Sequence, residues 1–272
     1  MPDYVLAVSE EEVQRYRFMA EHARTDEAEL WRRAGIRLGA TVADVGCGPA
    51  AVSVAVADLV GPAGRVIAVE REESARARAQ QVIAASGARN VELLAGTATD
   101  TGISAGSVDV VMMRHVLAHN GPDEQSIVDH LARLVRPGGS VYLVDADATA
   151  FRMLDVDPDV EDLNERYVEL HRRRGNDLQT GLRLGQLLGR AGLDVVLHEG
   201  RYTIARTPPG LRPPAWAARS AMLAEKIASA EDLRRWEAAL ARLDAAPERP
   251  TIFAPTFFAL GTMRPDAVAT SA

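Results

Sequence analysis

A glycine-rich turn after a short apolar run is the first stretch of this sequence whose residue types and spacing could do chemistry. It reads "VADVGCGPAA" from Val42 to Ala51 and encloses the only cysteine of the 272-residue chain. The spacing Gly46-x-Gly48-x-x-Ala51 satisfies the loose fingerprint of a dinucleotide-binding turn, in which glycines let the backbone approach a nucleotide. The pattern predicts a nucleotide site, but it does not by itself say which nucleotide.

Two residues beside these glycines argue against a pyrophosphate ligand. A dinucleotide enzyme holds pyrophosphate on the helix N-terminus after the turn. A negatively charged side chain just before the turn, such as Asp44, does not help to bind that anion. Pro49 also removes one of the backbone amides that a phosphate would need. S-adenosylmethionine has no phosphate and carries an ammonium and a sulfonium, so an aspartate at this place favours it.

Two histidines and two aspartates follow later apolar runs. His115 and His119 lie in "MRHVLAHNG", and Asp145 and Asp147 lie in "LVDADA". Imidazole titrates near neutral pH, so each histidine is a candidate proton acceptor, and structural hydrogen bonding is the alternative for both. The aspartates could accept a hydrogen bond from an imidazole or a substrate, or cap the helix that follows.

The composition excludes several kinds of site. One cysteine excludes an internal disulfide and a cysteine-rich zinc cluster, and the remaining histidines have no neighbours at ligand spacing, so no metal is expected. A net charge of -7 gives no general attraction for nucleic acid, and Arg172 to Arg174 is interpreted as a solvated helix face. No apolar run approaches the roughly 18 residues of a membrane span, and the first residues lack a signal-peptide pattern. We therefore expect a cytoplasmic protein without a nucleic-acid or membrane partner.

The elements that must position these residues alternate between β-branched runs and helical segments. This order predicts an α/β fold, a doubly wound, mostly parallel, seven-stranded Rossmann-like sheet with helical cover segments at the N-terminus and after the fifth strand. The predicted strands are Val42 to Val45, Val66 to Val69, Val91 to Leu94, Val108 to Met113, Val141 to Asp145, Val195 to Leu197 and Thr251 to Met263. Helices are predicted up to about Arg24, around Trp31, and over Glu72 to Ser86, Pro122 to Val135, Pro158 to Arg173, Leu182 to Ala191 and Ala217 to Leu243. The cover helices should lie over the carboxyl edge of the sheet, where open α/β sheets bind ligands.

Five motifs in order give the chain a resemblance to the class I S-adenosylmethionine-dependent methyltransferases. "VADVGCGPA" is similar to the first motif of that family and "VIAVER" to the end of its second strand. "GTA", "SVDVVMMRHVLAH" and "LVRPGGSVYLVD" match its third, fourth and fifth strand regions, so the resemblance covers residues 42 to 145. One departure is Thr97, where the family commonly has an acid. Asp100 is a candidate substitute, with an exposed turn position as the alternative.

The resemblance implies a cofactor, S-adenosyl-L-methionine, and a division of the chain. Residues 1–40 would form a helical cover, 41–148 the cofactor-binding core, 149–264 a helical insertion with the remaining strands and the substrate cover, and 265–272 a tail. Glu70 would accept from the ribose hydroxyls, and Thr97 and Ala98 would meet the adenine. The full set of implied cofactor contacts is Tyr16, Asp44, Gly46, Cys47, Gly48, Pro49, Glu70, Arg71, Thr97, Ala98 and Arg114.

The implied reaction is in-line methyl transfer to a small organic molecule, as in bacterial secondary metabolism, by a monomer or homodimer. His115 and His119 would lie beside the methyl group as candidate bases, with Asp145 orienting an imidazole. Two alternatives stay open: a protein that binds the cofactor but catalyses a cyclisation or uses it structurally, and a nicotinamide-dependent oxidoreductase. Asp44, Pro49 and the later motifs disfavour the oxidoreductase.

Overall fold

A computed structural model of the protein describes residues 10–206, 210 and 212–265, with side chains from residue 15 onward. The predicted tail from residue 266 onward lies outside the described residues, as do residues 207–209 and 211 of the proline-rich connection. The strands are β1 (Thr41–Val45), β2 (Arg65–Glu70), β3 (Val91–Ala95), β4 (Val108–Arg114), β5 (Val135–Ala146), β6 (Arg152–Met153), β7 (Asp194–Arg206) and β8 (Thr251–Thr262). The α-helices are α1 (Glu10–Asp26), α2 (Ala28–Ala34), α3 (Ala51–Val60), α4 (Glu73–Ser86), α5 (Glu124–Leu134), α6 (Pro158–Arg173), α7 (Leu184–Arg190), α8 (Pro214–Ala217), α9 (Arg219–Ala224) and α10 (Ala230–Ala245).

The strands form one sheet in the order β3-β2-β1-β4-β5-β8, with β6 and β7 both paired to β8. Strands β1 to β5 are parallel, and Val42 of β1 lies opposite Val66 of β2 and Val110 of β4. Strand β8 is antiparallel to β5 and to β7. The strand order reverses between β1 and β4, so the carboxyl ends of these two strands flank the crevice in which doubly wound sheets bind ligands.

The central strands are apolar on both faces because helices cover both faces. Val42, Ala43, Val110 and Val111 are fully buried, and alternate residues of one strand pack into different apolar clusters. Such continuous β-branched runs are what a doubly covered parallel sheet requires. This confirms the predicted fold class, and each of the seven predicted strands overlaps a strand of the structure.

Three parts of the predicted secondary structure need correction. The segment Ala217 to Leu243 is not one helix, because the chain turns at Lys226, whose φ is +56°, and helix α10 starts anew. Ser229 caps that start by accepting from the Asp232 amide at 3.1 Å. Strand β7 is much longer than Val195 to Leu197, and β6 is an eighth strand of two residues that the sequence did not predict. The segments predicted as single helices from Pro122 and Leu182 each begin with a 3₁₀ turn, Gly121–Asp123 and Thr180–Arg183.

A second apolar cluster holds the cover segment together over the carboxyl edge of the sheet. Trp236 of α10 is fully buried against Leu163 and Leu170 of α6, and its indole Nε1 donates to Asp162 at 2.9 Å. The arginines of the basic run are engaged in ion pairs, Arg172 with Glu169 among them. Within the part of the chain that the structure describes, no helix has both the length and the apolar character that crossing a membrane requires.

Candidate active site

The glycine turn joins the end of β1 to helix α3 in a conformation that only glycine adopts easily. Gly46 and Gly48 have φ angles of +77° and +54°. The amides of Gly46 and Cys47 both donate to the Val69 carbonyl, at 2.8 and 3.1 Å, which ties the turn to the end of β2. A Cβ on Gly46 would lie 2.5 Å from a methyl carbon of Val116. The turn therefore needs glycine both for its backbone angles and for its closeness to the loop after β4.

Glu70 links the ends of β1 and β2 at this turn. Its carboxylate accepts from the amide of Gly48 at 3.0 Å through Oε2 and from the amide of Glu72 at 3.0 Å through Oε1. Each carboxylate oxygen can accept more than one hydrogen bond, so both retain capacity for a ligand hydroxyl. The predicted ribose acceptor thus also holds the turn in place.

Asp44 lies behind the turn and is almost completely buried. Its Oδ2 accepts from the Ser53 hydroxyl at 2.6 Å. Burial raises the pKa of Asp44 to about 6, against opposing effects of the Ser53 hydrogen bond and the Arg114 charge. A carboxylate this poorly solvated gains from a nearby cation, which is the electrostatic property that the sequence predicted for this position.

A small cavity of about 90 Å³ lies beyond Glu70, at the carboxyl ends of β2 and β3. Its wall includes Glu70, Arg71, Gly96, Thr97, Ala98 and Asn120. Thr97 accepts from the Asp100 amide at 3.0 Å through its hydroxyl oxygen, so the turn at the predicted adenine position is internally braced. The residues predicted for ribose and adenine therefore share one cavity.

A much larger cavity of about 1340 Å³ lies between the sheet edge and the cover helices. Tyr16 of α1 reaches into it over the glycine turn, where its ring would be 3.5 Å from a Cβ on Gly48. Asp44, Cys47 and Arg114 line the same cavity. Much of its wall is apolar, with Phe18, Met19, Phe151, Met153, Leu243 and Phe258 among the lining residues.

The two cavities meet along four residues that line both, Gly46, His115, Val116 and His119. His115 has a φ of +55° and is fixed by its amide, which donates to the Val144 carbonyl at 2.8 Å. Burial, together with the charge of Arg114, lowers the pKa of His115 to about 3. Burial also lowers the pKa of His119 to about 4. Both predicted bases lie at the boundary of the cavities, and both are neutral near pH 7.

Asp145 and Asp147 brace their own loops. Asp145 accepts from the amides of Ala118 and Ala146 at 3.1 and 2.9 Å, and burial raises its pKa to about 7. Among the described residues it has no hydrogen bond to His115, so its predicted orienting role finds no direct contact. Asp147 accepts from the hydroxyl and the amide of Thr149, at 2.6 and 3.0 Å.

Arg114 belongs to a buried network that sequence reasoning missed. It forms an ion pair with Glu27, which also accepts from Trp31 at 3.1 Å and from Tyr142 at 2.8 Å. Glu27 follows α1 in the chain, so this network fastens the N-terminal cover to β4 and β5. The pairing joins positions 27 and 114, and no local pattern in the sequence could have indicated it.

The remaining predicted contacts are distributed around the turn. Arg71 pairs with Glu72 at 3.4 Å and lines the small cavity. Cys47 is buried, and its thiol lies 3.6 Å from the Gly48 carbonyl. Pro49 is buried next to it. Ser53, the partner of Asp44, is a further residue of the site that the sequence analysis did not single out.

Comparisons with known proteins identify a family for the part of the chain that carries the glycine turn. The methyltransferase domain family matches residues 42–139, from β1 into β5. A demethylmenaquinone methyltransferase from Geobacillus stearothermophilus is 32% identical over 124 residues, which are 45% of this chain and 53% of that protein. The chain thus spans about half the length of this curated relative.

Residues 42–139 of this chain are a methyltransferase domain, as the resemblance to the class I S-adenosylmethionine-dependent family predicts. The fold of the whole chain also recurs in solved structures. A Bacillus halodurans protein assigned to the methyltransferases aligns over 88% of this chain and 99% of its own, with a TM-score of 0.59 and 20% identity. The cyclase SpnF aligns over 96% of this chain and 85% of its own, with a TM-score of 0.53 and 13% identity. At these identities the likeness concerns the fold alone.

The residues around the glycine turn fit the cofactor of the matched family, S-adenosyl-L-methionine. Glu70 offers carboxylate oxygens at the end of β2, as a ribose requires, and the backbone at Gly46 and Gly48 has no side chain in the way. Asp44 supplies a buried acid on the side of the large cavity, suited to a ligand with positive charge.

Replacing Glu70 by alanine should weaken binding of S-adenosylhomocysteine by about 2 to 3 kcal/mol, because the change removes a charged acceptor. Calorimetry measures the loss. Glu73→Ala is the matched control, since Glu73 is an exposed acid three positions further along the chain. Unchanged affinity in Glu70→Ala would show that the cofactor does not lie at the end of β2.

The stability of the protein should rise from pH 5 to about pH 7 and change little above that. The raised pKa values of Asp44 and Asp145, about 6 and 7, mean that the folded state keeps protons which the unfolded state releases above about pH 4. Their contribution is therefore lost as the pH rises towards 7. The pKa values of His115, His119 and His171 are lowered to about 3, 4 and 3, so their contribution is lost as the pH falls below 6.5.

Three histidines outweigh two aspartates below pH 6, so the unfolding free energy should fall by about 1 kcal/mol from pH 6 to pH 5. From pH 6 to pH 8 it should rise by less than about 1 kcal/mol, because the aspartates oppose what remains of the histidine gain. Urea denaturation at each pH measures both changes. Asp145→Asn removes one of the opposing groups and should make the rise from pH 6 to pH 8 steeper, and an equally shallow rise in this variant would contradict the raised pKa of Asp145.

Proposed function

We propose that this protein transfers a methyl group from S-adenosyl-L-methionine to a small organic molecule. The observation that carries the proposal is the meeting of two cavities at Gly46, His115, Val116 and His119. One cavity has polar groups suited to the nucleoside end of the cofactor, and the other has room for an acceptor. The boundary between them is where a methyl group would pass.

Each predicted cofactor residue has a place in this arrangement. Glu70, Thr97 and Ala98 would hold the nucleoside in the small cavity. Asp44, Cys47 and Arg114 would face the methionine end from the large cavity, with Tyr16 closing over the glycine turn. When bound, the cofactor supplies a methyl group already activated on a sulfonium.

The protein's own contribution is alignment of the two reactants and exclusion of water. Displacement at an activated methyl group needs the attacking atom in line, and an enclosed boundary provides that orientation. His115 and His119 border this point and are neutral near pH 7, so either can meet an acceptor without repelling a sulfonium. A base is required only where the acceptor must lose a proton.

The large cavity favours an acceptor with a substantial apolar body. Its volume of about 1340 Å³ exceeds the range of about 300 to 1,000 Å³ common for ligand pockets, and many of its lining side chains are aromatic or aliphatic. The relative from Geobacillus is named for demethylmenaquinone, a molecule of that character. We propose an aromatic or quinol-like acceptor on these two grounds.

Incubation with methyl-labelled S-adenosylmethionine tests the proposal. The acceptor panel contains a phenol, a catechol, a naphthohydroquinone and an aromatic amine, and the readout is S-adenosylhomocysteine together with label in the acceptor. Transfer to any of them supports the proposal. Tight binding of S-adenosylhomocysteine without any transfer would favour cyclisation or a structural use of the cofactor, and binding of NADH in its place would favour an oxidoreductase.

A further inference from the structure

Two imidazole rings stand side by side at the wall of the cavities, His119 half-buried and His171 behind it. His119 comes from the 3₁₀ turn after β4, and His171 from the last turn of α6, where it is fully buried. Their ring centroids are 4.8 Å apart, with the planes tilted by 50°. Among the described residues, Nδ1 of His119 and Nε2 of His171 are both buried without a hydrogen-bond partner. Two such groups on neighbouring rings require an explanation.

The protonation of His171 is set by Asn176. The side-chain amide of Asn176 donates to Nδ1 of His171 at 2.8 Å, and its backbone amide donates to the His171 carbonyl at 3.0 Å. A neutral imidazole whose Nδ1 accepts carries its proton on Nε2. Burial lowers the pKa of His171 to about 3, so the ring stays neutral. His171 therefore presents a buried N–H group that lacks an acceptor.

His119 offers the complementary group. Its Nδ1 is the unpaired nitrogen on the adjacent ring, and a hydrogen bond from the Nε2–H group of His171, direct or through one water molecule, would satisfy both groups. Leaving both groups unpaired in a buried setting costs more than pairing them. Once Nδ1 accepts, the single proton of the neutral His119 ring must sit on its Nε2. Because Nδ1 is buried while His119 lines both cavities, the Nε2 edge faces them.

We propose that His171 is a positioning residue that fixes His119 as an Nε2–H hydrogen-bond donor at the boundary of the two cavities. His119 would then donate to a lone pair of the methyl acceptor, such as a phenol or quinol oxygen, and would not remove its proton. This assignment leaves His115 as the candidate base. The identity of the bound oxygen rests on the proposed function, whereas the pairing of the two rings does not.

Nitrogen NMR of the whole protein, labelled with ¹⁵N at histidine, tests the pairing without any acceptor. Two-bond correlations to the ring protons show which nitrogen of a neutral imidazole carries the proton, and the signals missing in His119→Gln identify those of His119. We expect His119 to be protonated at Nε2. A proton on Nδ1 would overturn the proposal.

Variants of His171 test the dependence of that proton on its neighbour. His171→Phe keeps a ring but has no donor. The Nε2 signal of His119 should therefore move towards the value expected for a mixture of the Nδ1–H and Nε2–H tautomers. His171→Gln keeps a donor and should restore the wild-type signal. His198→Phe, which removes an exposed imidazole elsewhere, should leave it unchanged. An unchanged His119 signal in a folded His171→Phe protein would overturn the proposal.

Transfer assays with the panel above test the role of His119 as a donor. His119→Gln places an amide near the position of Nε2 and should keep turnover within about tenfold. His119→Asn places it near Nδ1 and should lose about 10²-fold, because the acceptor oxygen is then no longer held in line with the methyl group. Equal losses in the two variants would overturn the donor role. If the wild-type protein transfers no methyl group, the proposed function fails, and the tautomer measurement still decides whether His171 controls His119.

Discussion

Gly48→Val should give a protein that still melts cooperatively but has lost at least about 100-fold in affinity for S-adenosylhomocysteine. Gly48 has a φ of +54°, at which a β-branched residue is strained. Relief of that strain would shift the turn, whose Gly48 amide donates to Glu70. A Cβ at this position would already contact the ring of Tyr16 at 3.5 Å, so the two additional methyl groups would extend into the space between Tyr16 and the turn. Calorimetry and thermal melting measure the two properties separately.

Gly87→Val is the matched control for this prediction. Gly87 ends helix α4 with a φ of +74°, and an added Cβ there would have no neighbour within 4 Å. The control therefore carries comparable backbone strain, on the order of 1 to 3 kcal/mol, away from both cavities. If Gly48→Val binds as well as Gly87→Val does, the cofactor does not lie on the glycine turn.

His115→Ala should lower kcat by roughly 10²- to 10⁴-fold for an acceptor that must lose a proton, with cofactor affinity nearly unchanged. We expect this loss because His115 lies at the boundary of the cavities, where the Val144 carbonyl fixes its backbone amide. Because its φ is +55°, His115→Asn is a useful second variant, since asparagine tolerates this conformation better than alanine does. His130→Asn, outside both cavities, is the control for loss of an imidazole.

The pH profile is where the structure changes the expectation drawn from the sequence. The sequence alone predicts a rate that rises with pH through the ordinary pKa of histidine, near 6.5. Burial lowers the pKa of His115 to about 3, so its ionisation should not affect kcat above about pH 5. If kcat instead rises around pH 7, and this rise is absent in Asp145→Asn, the titrating group is Asp145. Near wild-type turnover of His115→Ala would remove His115 as the base.

The signals for the candidate cofactor contacts are local in the sequence. Asp44 and Glu70 each stand at the end of an apolar run, and parallel strands bring such ends to one edge of the sheet. The break before α10 also had a local signal, the pair Ser229 and Asp232 at capping-box spacing, which the apolar pattern of the segment concealed.

The parts that sequence reasoning missed depend on contacts between distant positions. Glu27 meets Arg114, and His171 meets His119, only because the cover segments pack over the sheet edge. The lowered pKa of His115 likewise arises from burial by elements on both sides of it. No periodicity or motif within a short stretch encodes such pairs, so they emerge only with the packed fold.

The position of β8 has a consequence for how the protein forms during its synthesis. Strand β8 lies between β5 and β7, although β5 ends at Ala146 and β8 begins only at Thr251. Until a ribosome has released Thr262, β5 is an open strand edge and its apolar residues lack one neighbour. Pairing across so long an interval is slow, because the intervening chain must be ordered first. The nascent protein therefore passes through a stage with an exposed β5 edge, at which self-association or chaperone binding is favoured.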